Sequence, residues 1–172
     1  DFSKSKIVVS IGANFLEDWQ GGGYESGYAK SRIPIKKNNK ASMSKHFQFE
    51  SNMSLTGSNA DYRLPCTPSD QKNILAYIYD NLILGSPGQL SEKLKPLADK
   101  ALDELKNFGS DGVIVTGIED ENAQAAVFAI NTFLNSKSFD PQSPKLIRQG
   151  NTKEVLGLFK EIEEGNLDGL IT

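Results

Sequence analysis

Two stretches of this chain are apolar with no regular polar alternation, Ile7-Val8-Val9-Ser10-Ile11 and Val113-Ile114-Val115-Thr116-Gly117. Such runs read as strands buried on both faces, as in a parallel sheet with helices on either side. Their β-branched residues favour strand over helix. The pattern predicts strands near residues 6–12 and 112–117, a third over 45–50 with Phe47 and Phe49 on one face, and a last one over 167–171. Helical spacing fills the intervals. Tyr24 to Arg32 makes a short helix that Pro34 ends. Ser69 or Asp70 caps a helix striped by Ile74, Leu75, Ile78 and Leu82 and stopped at Gly85. Leu94, Leu97, Ala98, Ala101, Leu102 and Leu105 mark another, and Ala123, Ala126, Val127, Ile130 and Leu134 the next. Asn151-Thr152-Lys153-Glu154 resembles a capping box ahead of Val155, Leu156, Phe159 and Ile162, with Gly165 as the stop. The order is β-α-β-α-α-β-α-α-β. It predicts an α/β fold, a mainly parallel Rossmann-like sheet with helices on both faces.

The remaining segments are polar. Residues 35–45 are basic and aperiodic and read as a solvated loop rather than a binding patch. Residues 51–70 form a long polar passage. The lone His46 has no second His, Cys or carboxylate at metal spacing and reads as a surface histidine. Glu119, Asp120 and Glu121 read as a solvated acidic loop.

Composition narrows the classes. The 172 residues allow a single α/β unit, 1–172, with a first lobe over 1–85 and a second over 86–172. Hydrophobic content of 38% and charged content of 24% suit a globular chain. A formal charge of −3 advertises neither nucleic acid nor an anionic membrane. No apolar run approaches the roughly 20 residues of a membrane helix, so direct membrane insertion is not expected. One cysteine, Cys66, excludes an internal disulfide and a cysteine-rich metal site. Both ends fall close to strands, which suggests a piece excised from a longer multidomain protein.

In an open parallel sheet the ligand crevice lies beyond the carboxyl ends of the strands, which places Gly12-Ala13-Asn14 where chemistry usually sits. The residues there are not a Gly-x-Gly-x-x-Gly fingerprint, and Gly21-Gly22-Gly23 lacks the Lys-Ser/Thr of a phosphate loop. One histidine cannot supply a Ser/His/Asp set with any assurance. No catalytic residues and no metal ligands emerge from the residues alone.

Three passages nevertheless resemble the molybdopterin oxidoreductase family. Ile11-Gly12-Ala13-Asn14-Phe15-Leu16-Glu17 follows that family's Gly-x-Asn-Pro-x-Glu turn. Phe49-Glu50-Ser51-Asn52-Met53-Ser54-Leu55-Thr56-Gly57-Ser58-Asn59-Ala60-Asp61 follows its Val-Asp-Pro-Arg-x-Thr-x-Thr-Ala-x-x-Ala-Asp passage. Leu64-Pro65-Cys66-Thr67-Pro68-Ser69-Asp70 follows Leu-Pro-Ile-Arg-Pro-Gly-Thr. The likeness spans nearly the whole chain and weakens between residues 85 and 150. It implies that Asn14, Glu17, Glu50, Thr56 and Asp61 stand at the positions that grip a molybdopterin guanine dinucleotide. Departures weaken that grip. Ser51-Asn52 replaces Pro-Arg and removes a bidentate phosphate contact. Ser69 replaces a Gly that lets backbone approach a ligand.

Phe15-Leu16-Glu17-Asp18-Trp19 is most similar to the branch that forms the iron–sulfur subunits of alternative complex III, a quinol:cytochrome c oxidoreductase. That resemblance implies a vestigial domain holding no cofactor, with iron–sulfur clusters elsewhere in the parent chain. It also implies partners among other domains and neighbouring subunits of a respiratory membrane complex, peripheral on the periplasmic face of the bacterial inner membrane. The alternative is the dinucleotide-binding domain of an active molybdoenzyme. Under either, the five residues should converge at one end of the sheet, with Arg63 the only candidate cation beside them, and the isolated chain should catalyse nothing.

Overall fold

The computed structural model describes residues 1–17, 19–37, 40–143, 150–166 and 169. The predicted strand over 167–171 lies outside the described residues. Four strands form one parallel sheet: β1 (Ile7–Ile11), β4 (Lys45–Glu50), β5 (Tyr62–Pro65) and β6 (Gly112–Thr116), in the order β5-β4-β1-β6. Ile7 lies opposite both Lys45 and Gly112, so β1 is central and paired on both edges. All five of its residues are buried. A small antiparallel hairpin, β2 (Ile35–Lys37) and β3 (Lys40–Ser42), stands apart from the sheet. The loop expected over 35–45 is therefore partly strand. β5 also arises inside the expected polar passage, where four residues pair with β4 before Pro65 ends the ladder.

The helices are α1 (Tyr24–Ser31), α2 (Leu55–Ser58), α3 (Pro68–Tyr79), α4 (Lys95–Phe108), α5 (Glu121–Phe133) and α6 (Thr152–Glu163). Thr67, two residues before the nearer of the expected caps Ser69 and Asp70, caps α3. Its hydroxyl accepts from Asp70 N at 3.2 Å and the Asp70 carboxylate accepts from Thr67 N at 3.0 Å. Pro68 takes the first helical position, where a missing N–H costs nothing. A wider turn over Asp80–Leu84 extends α3 to Gly85, whose φ of 64° ends it.

Side-chain alternation divides the sheet into two faces. Ile7, Val9, Ile11, Phe47, Phe49 and Ile114 pack under α3, α4 and α5, where Ile74, Ile78, Leu105 and Ile130 complete the larger core. That core draws on both halves of the chain. The opposite face is smaller: Val8 and Val113 pack with Phe2, Phe15 and Tyr28, the last from α1. α6 has no buried residue, and Val155, Leu156, Phe159 and Ile162 are 41–61% exposed.

Candidate functional site

The chain runs outward from β1 to β4 and β5, then returns past β1 to β6. The reversal of direction lies between β1 and β6, the place where an open α/β sheet opens its crevice. Here the two strand ends meet backbone to backbone. Gly117 N donates to Ile11 O at 2.9 Å, and a Cβ on Gly117 would stand 2.3 Å from Gly12 O. Gly12 has φ 70°, and a Cβ there would meet Gln71 Oε1 at 2.5 Å. Gln71 comes from the first turn of α3 and donates to Ser51 Oγ at 3.0 Å.

Helix N-termini attract anions through their unpaired N–H groups. Two that reach this end, those of α3 and α5, already carry a carboxylate. Asp70 sits in the capping box of α3, and Asp120 caps α5, accepting from Asn122 N at 3.0 Å and Ala123 N at 3.2 Å. Lys72 reaches across to Asp120 at 2.9 Å. Asp120 is thus a cap, where a solvated acidic loop was expected.

Asn14 and Thr56 come together as predicted. Thr56 Oγ1 donates to Asn14 Oδ1 at 2.8 Å and accepts from Leu16 N at 2.9 Å, tying the loop after β1 to α2. Glu50 ends β4 close by, 4% exposed. Its carboxylate accepts from Arg63 Nε at 2.5 Å, Ser54 Oγ at 2.6 Å and Gln48 Nε2 at 3.0 Å. Burial opposes its charge, but these bonds outweigh burial and hold its pKa below the ordinary value. The expected cation is present and already engaged. A Cβ on Gly57 would fall 1.8 Å from Glu50 Oε1, so only glycine fits that approach. Glu17 turns to solvent.

Asp61 corrects the expectation of one convergent cluster. It lies at the amino end of the sheet, where its N–H donates to His46 O at 3.0 Å. Its carboxylate takes both guanidinium nitrogens of Arg32, at 2.5 and 2.8 Å, and His46 N at 2.8 Å. The passage from Glu50 to Asp61 spans the sheet from one end to the other, because α2 carries the chain back to begin β5.

His46 is also corrected: it is fully buried, not a surface residue. Its Nδ1 lies 3.1 Å from Tyr28 Oη and its Nε2 3.1 Å from Gln48 Oε1. Burial, with Arg32 nearby, lowers its pKa to about 4, against hydrogen bonding to Gln48 and the charges of Asp61 and Glu50. His46, Gln48 and Glu50 thus form a buried polar row on one face of β4. The alternation with Phe47 and Phe49 was visible in sequence. The second face of that alternation is covered by Phe15 and by Tyr28 of α1 rather than wet.

Among the described residues, clefts also open elsewhere. One of about 420 Å³ runs along β6 and α5 beside Trp19, Tyr24, Phe128 and Phe139. Another of about 540 Å³ lies at the amino end beside Ile33, Ile35, Met43 and Phe108. Among the described residues, no three His, Cys, Asp or Glu side chains are grouped to hold a metal ion, and no helix is long and apolar enough to cross a membrane. A pyrophosphate at the carboxyl end would meet capped helix N-termini, the Glu50 carboxylate, and an Arg63 and a Lys72 already paired. Of the five side chains expected to grip a dinucleotide, Asn14 and Thr56 are bonded to each other and Glu50 to Arg63, Ser54 and Gln48. No family model matches the chain, and no curated protein matches it.

Proposed function

We propose that this chain is a cofactor-free scaffold domain of a molybdopterin oxidoreductase-like subunit in a respiratory electron-transfer complex of the quinol:cytochrome c oxidoreductase type. The parallel Rossmann-like sheet agrees with the three resembling passages. The observation that carries the reading is the closure of the carboxyl end: Asn14 on Thr56, and Glu50 on Arg63, Ser54 and Gln48. Opening those bonds to admit an anion would leave Glu50 buried, unpaired and repelling it.

In this reading the domain works through its surfaces. The exposed stripe of α6 (Val155, Leu156, Phe159, Ile162) and the exposed Ile33 and Ile35 at the start of the hairpin are apolar areas of the kind that neighbouring domains or subunits cover. The iron–sulfur and cytochrome groups belong to those neighbours, and the molecule works on the periplasmic face of the membrane. Molybdenum analysis of the full-length parent protein, as isolated, tests the proposal. The scaffold reading expects no molybdenum above background. One molybdenum per chain would replace it with the dinucleotide-binding domain of an active molybdoenzyme. The purified 172-residue chain is expected to turn over no quinol, oxyanion or nicotinamide substrate.

A further inference from the structure

The buried row on β4 is an unbroken line of hydrogen-bonding groups from Asn59 to Arg63. Tyr28 Oη lies 3.0 Å from Asn59 O and 3.1 Å from His46 Nδ1; His46 Nε2 lies 3.1 Å from Gln48 Oε1; Gln48 Nε2 lies 3.0 Å from Glu50 Oε2. Between Asn59 O, which only accepts, and Arg63, which only donates, Tyr28, His46 and Gln48 can take part in either direction, as can Glu50 once protonated, and a direction chosen at one end propagates to the other.

With Glu50 ionised, only one direction pairs every side chain of the row, and it takes the Tyr28 proton away from Asn59 O. The carboxylate accepts only, so Gln48 turns its amide N–H toward Glu50 and its carbonyl toward His46. Neutral His46 must then carry its proton on Nε2, and its bare Nδ1 accepts from the Tyr28 hydroxyl. With residue 50 neutral and able to donate, the opposite direction is also complete. Residue 50 donates to the Gln48 carbonyl, Gln48 N–H to His46 Nε2, His46 Nδ1–H to Tyr28 Oη, and Tyr28 O–H to Asn59 O. The Tyr28 hydroxyl stands within bonding distance of both its acceptors, so the change there is one bond rotation. The Gln48 amide must turn over, losing its 3.4 Å contact with Ala13 O.

We infer that Tyr28, His46, Gln48 and Glu50 form a two-state hydrogen-bond switch through the core, whose direction is set by the charge of Glu50 and read at the opposite end of the sheet. The charged groups facing it are Arg63 from β5, which holds Glu50 ionised, and Arg32 and Asp61 at the amino end. Burial keeps His46 neutral near neutral pH, so its tautomer rather than its charge carries the signal. Anything that draws Arg63 away from Glu50 makes a neutral Glu50 easier to form and reverses the row. A change at Arg63 on β5 thereby reaches Tyr28 on α1, with no backbone movement required.

The chain has one histidine, so nitrogen NMR of the imidazole reads the switch without ambiguity. At neutral pH the unaltered protein is expected to show the Nε2–H tautomer in about tenfold excess or more, the preference that one hydrogen bond to a charged group supplies. Glu50→Gln, which can donate, is expected to bring the Nδ1–H tautomer up to at least an equal population. Tyr28→Phe, which leaves the carboxyl end untouched, is expected to retain Nε2–H. Nδ1–H in the unaltered protein, or a Glu50→Gln spectrum unchanged in tautomer, overturns the inference. If Glu50→Gln does not fold, Tyr28→Phe still decides, because reversal there would place control at the tyrosine and not at Glu50.

Discussion

The carboxamide of Asn131 supplies Ile114 with both hydrogen bonds that a further strand would provide: Nδ2 donates to Ile114 O at 2.8 Å, and Oδ1 accepts from Ile114 N at 3.0 Å. Ser136 Oγ adds a bond to Gly112 O at 2.6 Å on the same edge. The outer edge of β6 is thus closed by side chains of α5 and the turn after it. Asn131→Ala leaves two buried backbone groups unpaired and is expected to cost about 2–4 kcal/mol in urea unfolding. It also bares a strand edge, so light scattering should show concentration-dependent association absent from the unaltered protein. Equal stability and no association would mean that the edge is not held by Asn131.

Gly57 has no room for a side chain because Glu50 occupies it. Gly57→Ala is expected to push the carboxylate off Arg63 and Ser54 and to cost about 3 kcal/mol, the scale of breaking a buried ion pair. Gly157→Ala is the control. Nothing lies within 4 Å of its Cβ, and alanine there should gain up to about 1 kcal/mol of helix stability in α6. Thermal melts of the two variants should therefore move in opposite directions, or the second not at all.

Acid should weaken the fold through His46. Its pKa is lowered from 6.5 to about 4 on folding, so the unfolded chain takes a proton that the folded chain refuses. The sign follows: this contribution is fully present above pH 6.5 and is lost as pH falls toward 4. Between pH 7.5 and 4.5 the expected loss is about 2–3 kcal/mol. Glu50 and Asp61, both with lowered pKa values, add losses of the same sign only below the ordinary carboxylate range. Urea midpoints measured across that interval check the slope, and His46→Phe should flatten it. A slope unchanged in that variant would assign the effect to other groups.

The strands β1, β4 and β6 were legible because an uninterrupted or alternating apolar run has few other uses. Asn151 as the cap of α6 was legible too, and its side chain accepts from Glu154 N at 3.2 Å. β5 was not, since Tyr62–Pro65 is short, half-buried and stabilised by pairing with β4 rather than by its own pattern. Asn14 and Thr56 were placed together correctly because each follows or closely follows the carboxyl end of a strand. Asp61 was misplaced because α2 is only four residues long, and a turn that short returns the chain to the amino end unannounced. Burial of His46 depends on Tyr28, 18 residues away, closing over it, and Asn131 on a strand edge 17 residues away. Neither relation leaves a local mark.

In the proposed scaffold reading, the carboxyl end of the sheet is closed on itself and takes no guanine dinucleotide. Asn52 and Thr67 stand where the resembling passages have Arg; each charge-assisted contact so lost is worth about 1.5–3 kcal/mol, so the two weaken binding by roughly two to four powers of ten. Calorimetric titration of the chain with guanosine diphosphate measures this directly. No saturable heat at micromolar concentrations is the result expected. Binding at micromolar affinity or tighter, abolished by Glu50→Ala, would contradict the account and make this end of the sheet a working nucleotide site.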